Sequence, residues 1–385
     1  MQYQLQRSFL RLLDGRILSY IHAWPEKVSG APLHKVPTII SMHGWPSSAQ
    51  MASLMSAHVT ERGFQLVCPD RPGIGGSSID HHMSFRSVAS DMAQLLNHLG
   101  VEEGAIMMGF SGGGPHACAC AALLGPKRVS ALALLASMTH TRGPESQPLM
   151  HGMDLFNRLG YNAIAYLPPA LLRWSIQAAA LLSSYVVLPI LQGMSGRRAP
   201  APETADSATQ PVLTPPADLS VSGSIGSLPG FTSAVPHLIG MLSDNLGPRS
   251  HGGLGFFQDV QLTCAPWGEF QLSQIRVPTA VIQGTADTCV PLVMSEYLAT
   301  RIPGASSTLV EEAHDPEVLA KQPLDTPGGV RKTETMPGQS HPLPKQARGL
   351  HVFHGEGHVS LILRRMSEVM QVVHHLHHAS TTQQK

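Results

Sequence analysis

The stretch AIMMGFSGGGPHACACAALLG, residues 105–125, decides how the rest of this sequence is read. Its first six residues are an unbroken apolar run of strand length, and from Pro115 onward small, helix-compatible residues take over. Between them stands Gly109-Phe110-Ser111-Gly112-Gly113, a serine among glycines on a strand-to-helix turn. Such a turn forces the serine into a strained backbone conformation and lifts its hydroxyl above the sheet edge, the setting of a nucleophile elbow. Close neighbours have to be glycine because a side chain would collide with the adjoining strand or helix. The next backbone N–H, that of Gly112, then points at the reacting oxygen. The plain alternative is a glycine-rich structural turn.

Outward from this point the chain alternates strand and helix signals. Apolar runs of strand length occur at PTIISM (37–42), FQLVCP (64–69), ALALLA (131–136), PTAVIQ (278–283) and LHVFH (350–354). Between them, Val88, Met92, Leu95, Leu96 and Leu99 share one helical face, with Ser84 as the N-cap and Gly100 as the stop. Ile362, Met366, Val369, Met370 and Val373 mark an amphipathic helix near the end of the sequence. Short unbroken apolar strands alternating with helices predict an α/β fold, with a mostly parallel central sheet covered on both faces.

The alternation breaks near Thr139 and resumes near Val277. Residues 1–138 therefore read as the first part of the core and 277–385 as its second part. Residues 139–276 read as a helical cap inserted between strands 6 and 7. Two stretches rich in Pro, Ser, Ala and Gly, 195–230 and 306–348, read as unstructured insertions.

Composition narrows the function. The chain has 385 residues, of which 43% are hydrophobic, enough to bury a large core. Its 26 basic and 26 acidic residues balance, so no basic patch suggests nucleic acid. The five cysteines fit neither a disulfide framework nor a zinc spacing and read as reduced thiols. The opening MQYQLQRSFLRLLDGR has no apolar core or cleavage site of a secretory signal, so a cytoplasmic protein is expected. Trp174 to Met194 reaches the length of a membrane span, about twenty uncharged residues. It also holds Gln177, Ser183, Ser184 and Pro189, and reads as buried or surface-covering helices, with membrane contact the alternative not favoured.

Two further loops follow strands. His43-Gly44-Trp45-Pro46 comes directly after PTIISM. Trp45 can supply a backbone N–H to an oxyanion, whereas position 46 is proline and cannot. His43 reads as a residue that orders the loop. Asp70-Arg71-Pro72-Gly73-Ile74-Gly75-Gly76-Ser77 lacks both the GxGxxG spacing and a phosphate-binding lysine, so it reads as a shaped turn with Asp70 structural.

Taken together, HGWPSS, PDRPGIGGSS, GFSGGGPHA, GTADTCVP and GEGHVSLI resemble the α/β-hydrolase superfamily in order and spacing, and most of all its capped, cofactor-independent serine members. The resemblance covers nearly everything except the two insertions. It implies Ser111 as nucleophile, Asp287 as acid and His358 as base, with Trp45 and Gly112 as oxyanion-hole N–H donors and no cofactor or metal. His314, in EEAHD, is the rival base if SSTLV is the last strand. His374, His375, His377 and His378 read as surface histidines rather than metal ligands. The reading is hydrolysis of a carboxylic ester or related acyl compound through an acyl-Ser111 intermediate, and the apolar cap points to a small-molecule substrate with a hydrophobic acyl or alkyl part. Hydrolysis of a C–C bond, an amide or a proline peptide, a membrane-associated lipid hydrolase or acyltransferase, and a non-catalytic binding protein stand as alternatives. Serine at position 111 argues against relatives that attack with aspartate.

Overall fold

In the computed structural model, described for residues 3–25, 33–102, 104–182, 244–245, 251–305, 309–312 and 348–383, nine strands form one sheet. They are β1 (Tyr3–Arg11), β2 (Ile17–Pro25), β3 (Thr38–Met42), β4 (Gln65–Pro69), β5 (Ala105–Phe110), β6 (Val129–Leu135), β7 (Thr279–Gly284), β8 (Leu309–Glu312) and β9 (Gly349–Phe353). Their order is β1-β2-β4-β3-β5-β6-β7-β9-β8. β1 pairs antiparallel with β2, and β2 antiparallel with β4; every later pairing is parallel.

The apolar runs behave as strands buried on both faces. Successive residues of β5 divide between two cores, Met107 to one and Ile106 and Met108 to the other, as the two-residue period of a strand requires. The first core packs under α2 (Phe85–His98), α3 (Gly114–Leu124) and α8 (Leu292–Arg301). The second packs under α1 (Ala52–Glu61) and α9 (Ser360–Gln383), where Ile362, Met366, Val369, Met370 and Val373 are all buried. Ser84 caps α2 by accepting from the Ser87 N–H, and Gly100 takes a positive φ of 67° just beyond the helix end.

Between β6 and β7 lie α4 (Ser146–Leu149), α5 (Leu155–Tyr166), α6 (Pro169–Leu182) and α7 (Leu254–Cys264). α4, α5 and α7 share a third, smaller core with the loop and helix after β7, containing Met138, Leu149, Tyr161, Val260 and Met294. α7 is seated on the loop after β4. A Cβ built on Gly73 would come within 2.7 Å of Gly255 Cα, so the two backbones cross in contact.

One expectation is corrected. Leu309–Glu312 falls inside the stretch read as an unstructured insertion, yet it forms the edge strand beside β9. The remainder of that stretch, 195–230 and the rival base His314 lie outside the described residues, as does the sequence from 183 to 194. Among the described residues no helix is long and apolar enough to cross a membrane. All five cysteines are free, four of them buried.

Candidate active site

Ser111 stands where β5 ends and a single tight turn leads into α3. Its φ is +53°, a left-handed conformation uncommon for a residue with a side chain. The turn is fastened from behind by the Met138 N–H, which donates to the Ser111 carbonyl at 3.2 Å.

The loops after β7 and β9 meet at the same sheet edge because their backbones are tied together. Thr285 N–H donates to Phe353 O at 3.0 Å, and Ala286 N–H donates to Glu356 O at 2.9 Å. Glu356 is buried and is held by Arg365 Nε at 2.8 Å and by the Ser360 hydroxyl at 2.6 Å, both from α9. These ties carry His358 to Asp287. His358 Nδ1 lies 2.7 Å from Asp287 Oδ2, and His358 Nε2 lies 2.9 Å from Ser111 Oγ. Ser111, Asp287 and His358 are thus joined in one hydrogen-bonded line.

Asp287 is fully engaged. Its Oδ1 accepts from the Cys289 and Val290 N–H groups at 2.9 and 2.8 Å, and its Oδ2 accepts from Gln283 Nε2 at 3.0 Å as well as facing His358. Gln283 is itself fixed by the Ser295 hydroxyl at 2.8 Å. With Oδ2 acting as acceptor, Nδ1 of His358 carries the proton and Nε2 presents a lone pair to the serine. The His358 ring lies 4.9 Å from the Phe110 ring, and its side chain is 14% exposed, so solvent reaches this end of the line.

Trp45 and Gly112 stand side by side. A Cβ built on Gly112 would fall 2.6 Å from the indole ring of Trp45, so the close approach of ring and backbone requires glycine. His43 lies within the loop it was expected to order. Its Nδ1–H donates to Gly44 O at 3.0 Å, and its Nε2 accepts from the Arg71 N–H at 3.4 Å. Burial, followed by the nearby Arg71 charge, keeps this ring well below the ordinary imidazole range. Asp70 accepts from Arg7 Nη1 at 2.6 Å and from the Ala49 N–H at 2.6 Å, a tie between β1 and the entry to α1.

This arrangement, a serine in a left-handed turn after the fifth of nine strands with helices on both faces, agrees with the comparison of sequences. Residues 37–184 match a family model described as alpha/beta hydrolase fold. The chain has the α/β-hydrolase fold. Solved α/β-hydrolase-fold structures extend the likeness over nearly the whole chain. An esterase from Exiguobacterium antarcticum is 15% identical, with 96% of this chain and 99% of that one covered at a TM-score of 0.53. A bromoperoxidase from Bacillus anthracis is 14% identical over 96% and 99%, also at 0.53. An enol-lactonase from Burkholderia xenovorans is 15% identical over 96% and 99%, at 0.52. At these identities the likeness is one of fold, and one fold carries several reactions.

Several residues around the site escape a reading of the sequence. Gln283 is the next-to-last residue of a buried strand and looks like part of its apolar run. Arg71, His116 and Asp259 form a second buried cluster below Trp45. Arg71 Nη2 lies 2.7 Å from Asp259 Oδ2, and His116 Nε2 lies 2.7 Å from Asp259 Oδ1. Burial pushes the Asp259 carboxyl up, but Arg71 and His116 outweigh it and hold the group below the usual carboxylate range. Burial also holds His116 below the imidazole range despite its partner, so Arg71 supplies the balancing charge. The signal that could have found Asp259 is a lone acid inside GFFQDV, an otherwise uncharged helical run. Among the described residues no group of three or more His, Cys, Asp or Glu side chains could hold a metal ion. Of the four histidines in α9, His374 and His377 pack edge-on against Phe64.

Proposed function

We propose that this protein is a serine hydrolase that cleaves a carboxylic ester or a related acyl compound through an acyl-Ser111 intermediate. The observation that carries the reading is the placing of His358 between Ser111 Oγ and Asp287 Oδ2, at 2.9 and 2.7 Å. A serine hydroxyl is a weak nucleophile at neutral pH and needs a base within hydrogen-bond reach. His358 Nε2 takes the hydroxyl proton as Oγ attacks the substrate carbonyl. Asp287 keeps the other ring nitrogen protonated and stabilises the imidazolium that forms. The N–H groups of Trp45 and Gly112 receive the negative charge that develops on the carbonyl oxygen. His358 then gives its proton to the leaving alkoxide. In the second half of the cycle it activates a water that releases the acid and restores Ser111.

A hydrophobic acyl or alkyl part in the substrate fits the apolar residues of the β6–β7 segment, where Leu155, Phe156 and Leu159 of α5 are exposed. Labelling of the purified protein with a fluorophosphonate, with Ser111→Ala as control, tests the nucleophile directly. Wild type is expected to label and the variant not to label, with the same fold by circular dichroism. A panel of esters, lactones, amides and diketones then separates the bond types that this triad can break. Undiminished ester turnover by Ser111→Ala would place the nucleophile elsewhere and end the proposal.

A further inference from the structure

Asp259 is fully buried on α7, yet it touches the Trp45 side chain directly and, through Arg71, reaches the two carbonyls that precede the Trp45 N–H. Its Oδ2 accepts from the Trp45 indole Nε1–H at 2.7 Å, from Arg71 Nη2 at 2.7 Å and from Arg71 Nε at 3.0 Å. Its Oδ1 meets His116 Nε2 at 2.7 Å, on the helix that begins behind Ser111. Arg71, so anchored, donates through Nη1 to the His43 carbonyl and through Nη2 to the Gly44 carbonyl at 3.4 Å. The Gly44 carbonyl and the Trp45 N–H belong to one peptide unit. A peptide is planar and, when trans, its C=O and N–H point in opposite directions. Arg71 and His43 pull the Gly44 oxygen one way, which aims the Trp45 N–H the other way. Asp259 grips residue 45 twice: through Arg71 it fixes the peptide plane, and through the indole it fixes the ring that lies on Gly112.

We propose that Asp259 is the positioning residue of the oxyanion hole, acting through Arg71 and the Trp45 indole to aim the Trp45 N–H at the reacting oxygen. The inference rests on the acyl-Ser111 reading. Donors that stabilise a developing charge work because they are held in place before the charge appears. An aim that loosens acts on the transition state and leaves substrate affinity nearly unchanged.

The test uses the full chain and has two readouts. A 1H–15N spectrum carries one indole signal for each of the four tryptophans, and loss of one in Trp45→Phe assigns it. The Trp45 indole N–H is expected to exchange with solvent far more slowly than that of Trp174, which is 66% exposed. In Asp259→Asn it is expected to shift and to exchange faster. Trp45→Phe keeps an aromatic ring, removes the N–H and leaves the Arg71–Asp259 pair intact, so it tests the tie even where Asp259→Asn fails to fold. It is expected to lower kcat on an ester and the rate of fluorophosphonate labelling by about tenfold, a part of what losing a whole oxyanion donor costs, with KM within about twofold. An indole N–H that exchanges as fast as that of Trp174 overturns the tie even in an inactive protein. So does a Trp45→Phe variant with unchanged kcat, or one in which only KM rises, since the ring would then be a wall of the substrate site. A folded wild type that never labels ends the acyl-Ser111 reading and this role with it, and leaves a protected indole as a folding tie alone.

Discussion

Asp287 and His358 are joined by a contact of 2.7 Å, and so are Asp259 and His116. The two pairs differ in everything around that contact. His358 has a serine hydroxyl on its far nitrogen, and its side chain is partly open to solvent. His116 is wholly buried, its Nδ1 has no hydrogen-bond partner among the described residues, and the Phe85 ring lies 5.2 Å away. Asp287 is satisfied by two backbone N–H groups and an amide, whereas Asp259 carries the charge that neutralises a buried guanidinium. An aspartate–histidine pair is therefore no evidence of catalysis by itself. A third partner that can lose a proton, and a path to solvent, make the difference.

Substitutions should separate the two pairs sharply. The largest effect is expected at His358. His358→Ala should lower turnover by several orders of magnitude, as loss of the base does in a serine triad, while His314→Ala should leave it unchanged. The reverse result would move the base to the stretch after β8. Asp287→Asn keeps every backbone bond to Oδ1 but favours the wrong tautomer of His358, and should cost about 10⁴ in kcat. Its stability should change by about 1 kcal/mol, as read from urea unfolding.

Asp259→Ala should show the opposite weighting. It strands the Arg71 charge in the interior and should cost about 3–5 kcal/mol of stability; a loss below 1 kcal/mol would mean that Arg71 finds water or another acid.

The smallest effect is a dependence on pH. The buried rings of His43 and His116 titrate below the ordinary imidazole range, so each is neutral in the fold where the unfolded chain already binds a proton. The unfolded state then holds more protons, and stability must fall as pH drops below about 6.5, by up to about 1.4 kcal/mol per pH unit for each ring. Unfolding midpoints between pH 7.5 and 5 measure this slope, and His116→Phe should reduce it. An unchanged slope would mean that His116 is charged beside Asp259.

How much of this could be read from the chain follows the same division. β3 to β7 and β9 were legible because both of their faces are covered, which leaves an unbroken apolar run in the sequence. β8 was legible only as the rival strand SSTLV: LVEE has four residues and ends in two glutamates, and it sits at the sheet edge. Ser111, Asp287 and His358 were legible because each stands on a short local turn with its own residue pattern. The structure joins the side chains of those three by contacts of 2.7 and 2.9 Å, and it seats Trp45 against Gly112. Asp259 and Arg71 were not legible as a pair because 188 residues separate them and neither carries a local motif that names the other. Gln283 was hidden for a related reason, since its role appears only when the loop after β7 folds back over it.

The crossing of Gly73 and Gly255 has a mechanical consequence. The close crossing leaves no room for a side chain on either glycine, and the Arg71–Asp259 pair ties the same helix to the same loop, so parting α7 from that loop would strip Arg71 of its partner. Exchange of the whole segment for another would remove the anion that Arg71 needs, whereas exchange of α4 to α6 alone would leave it in place.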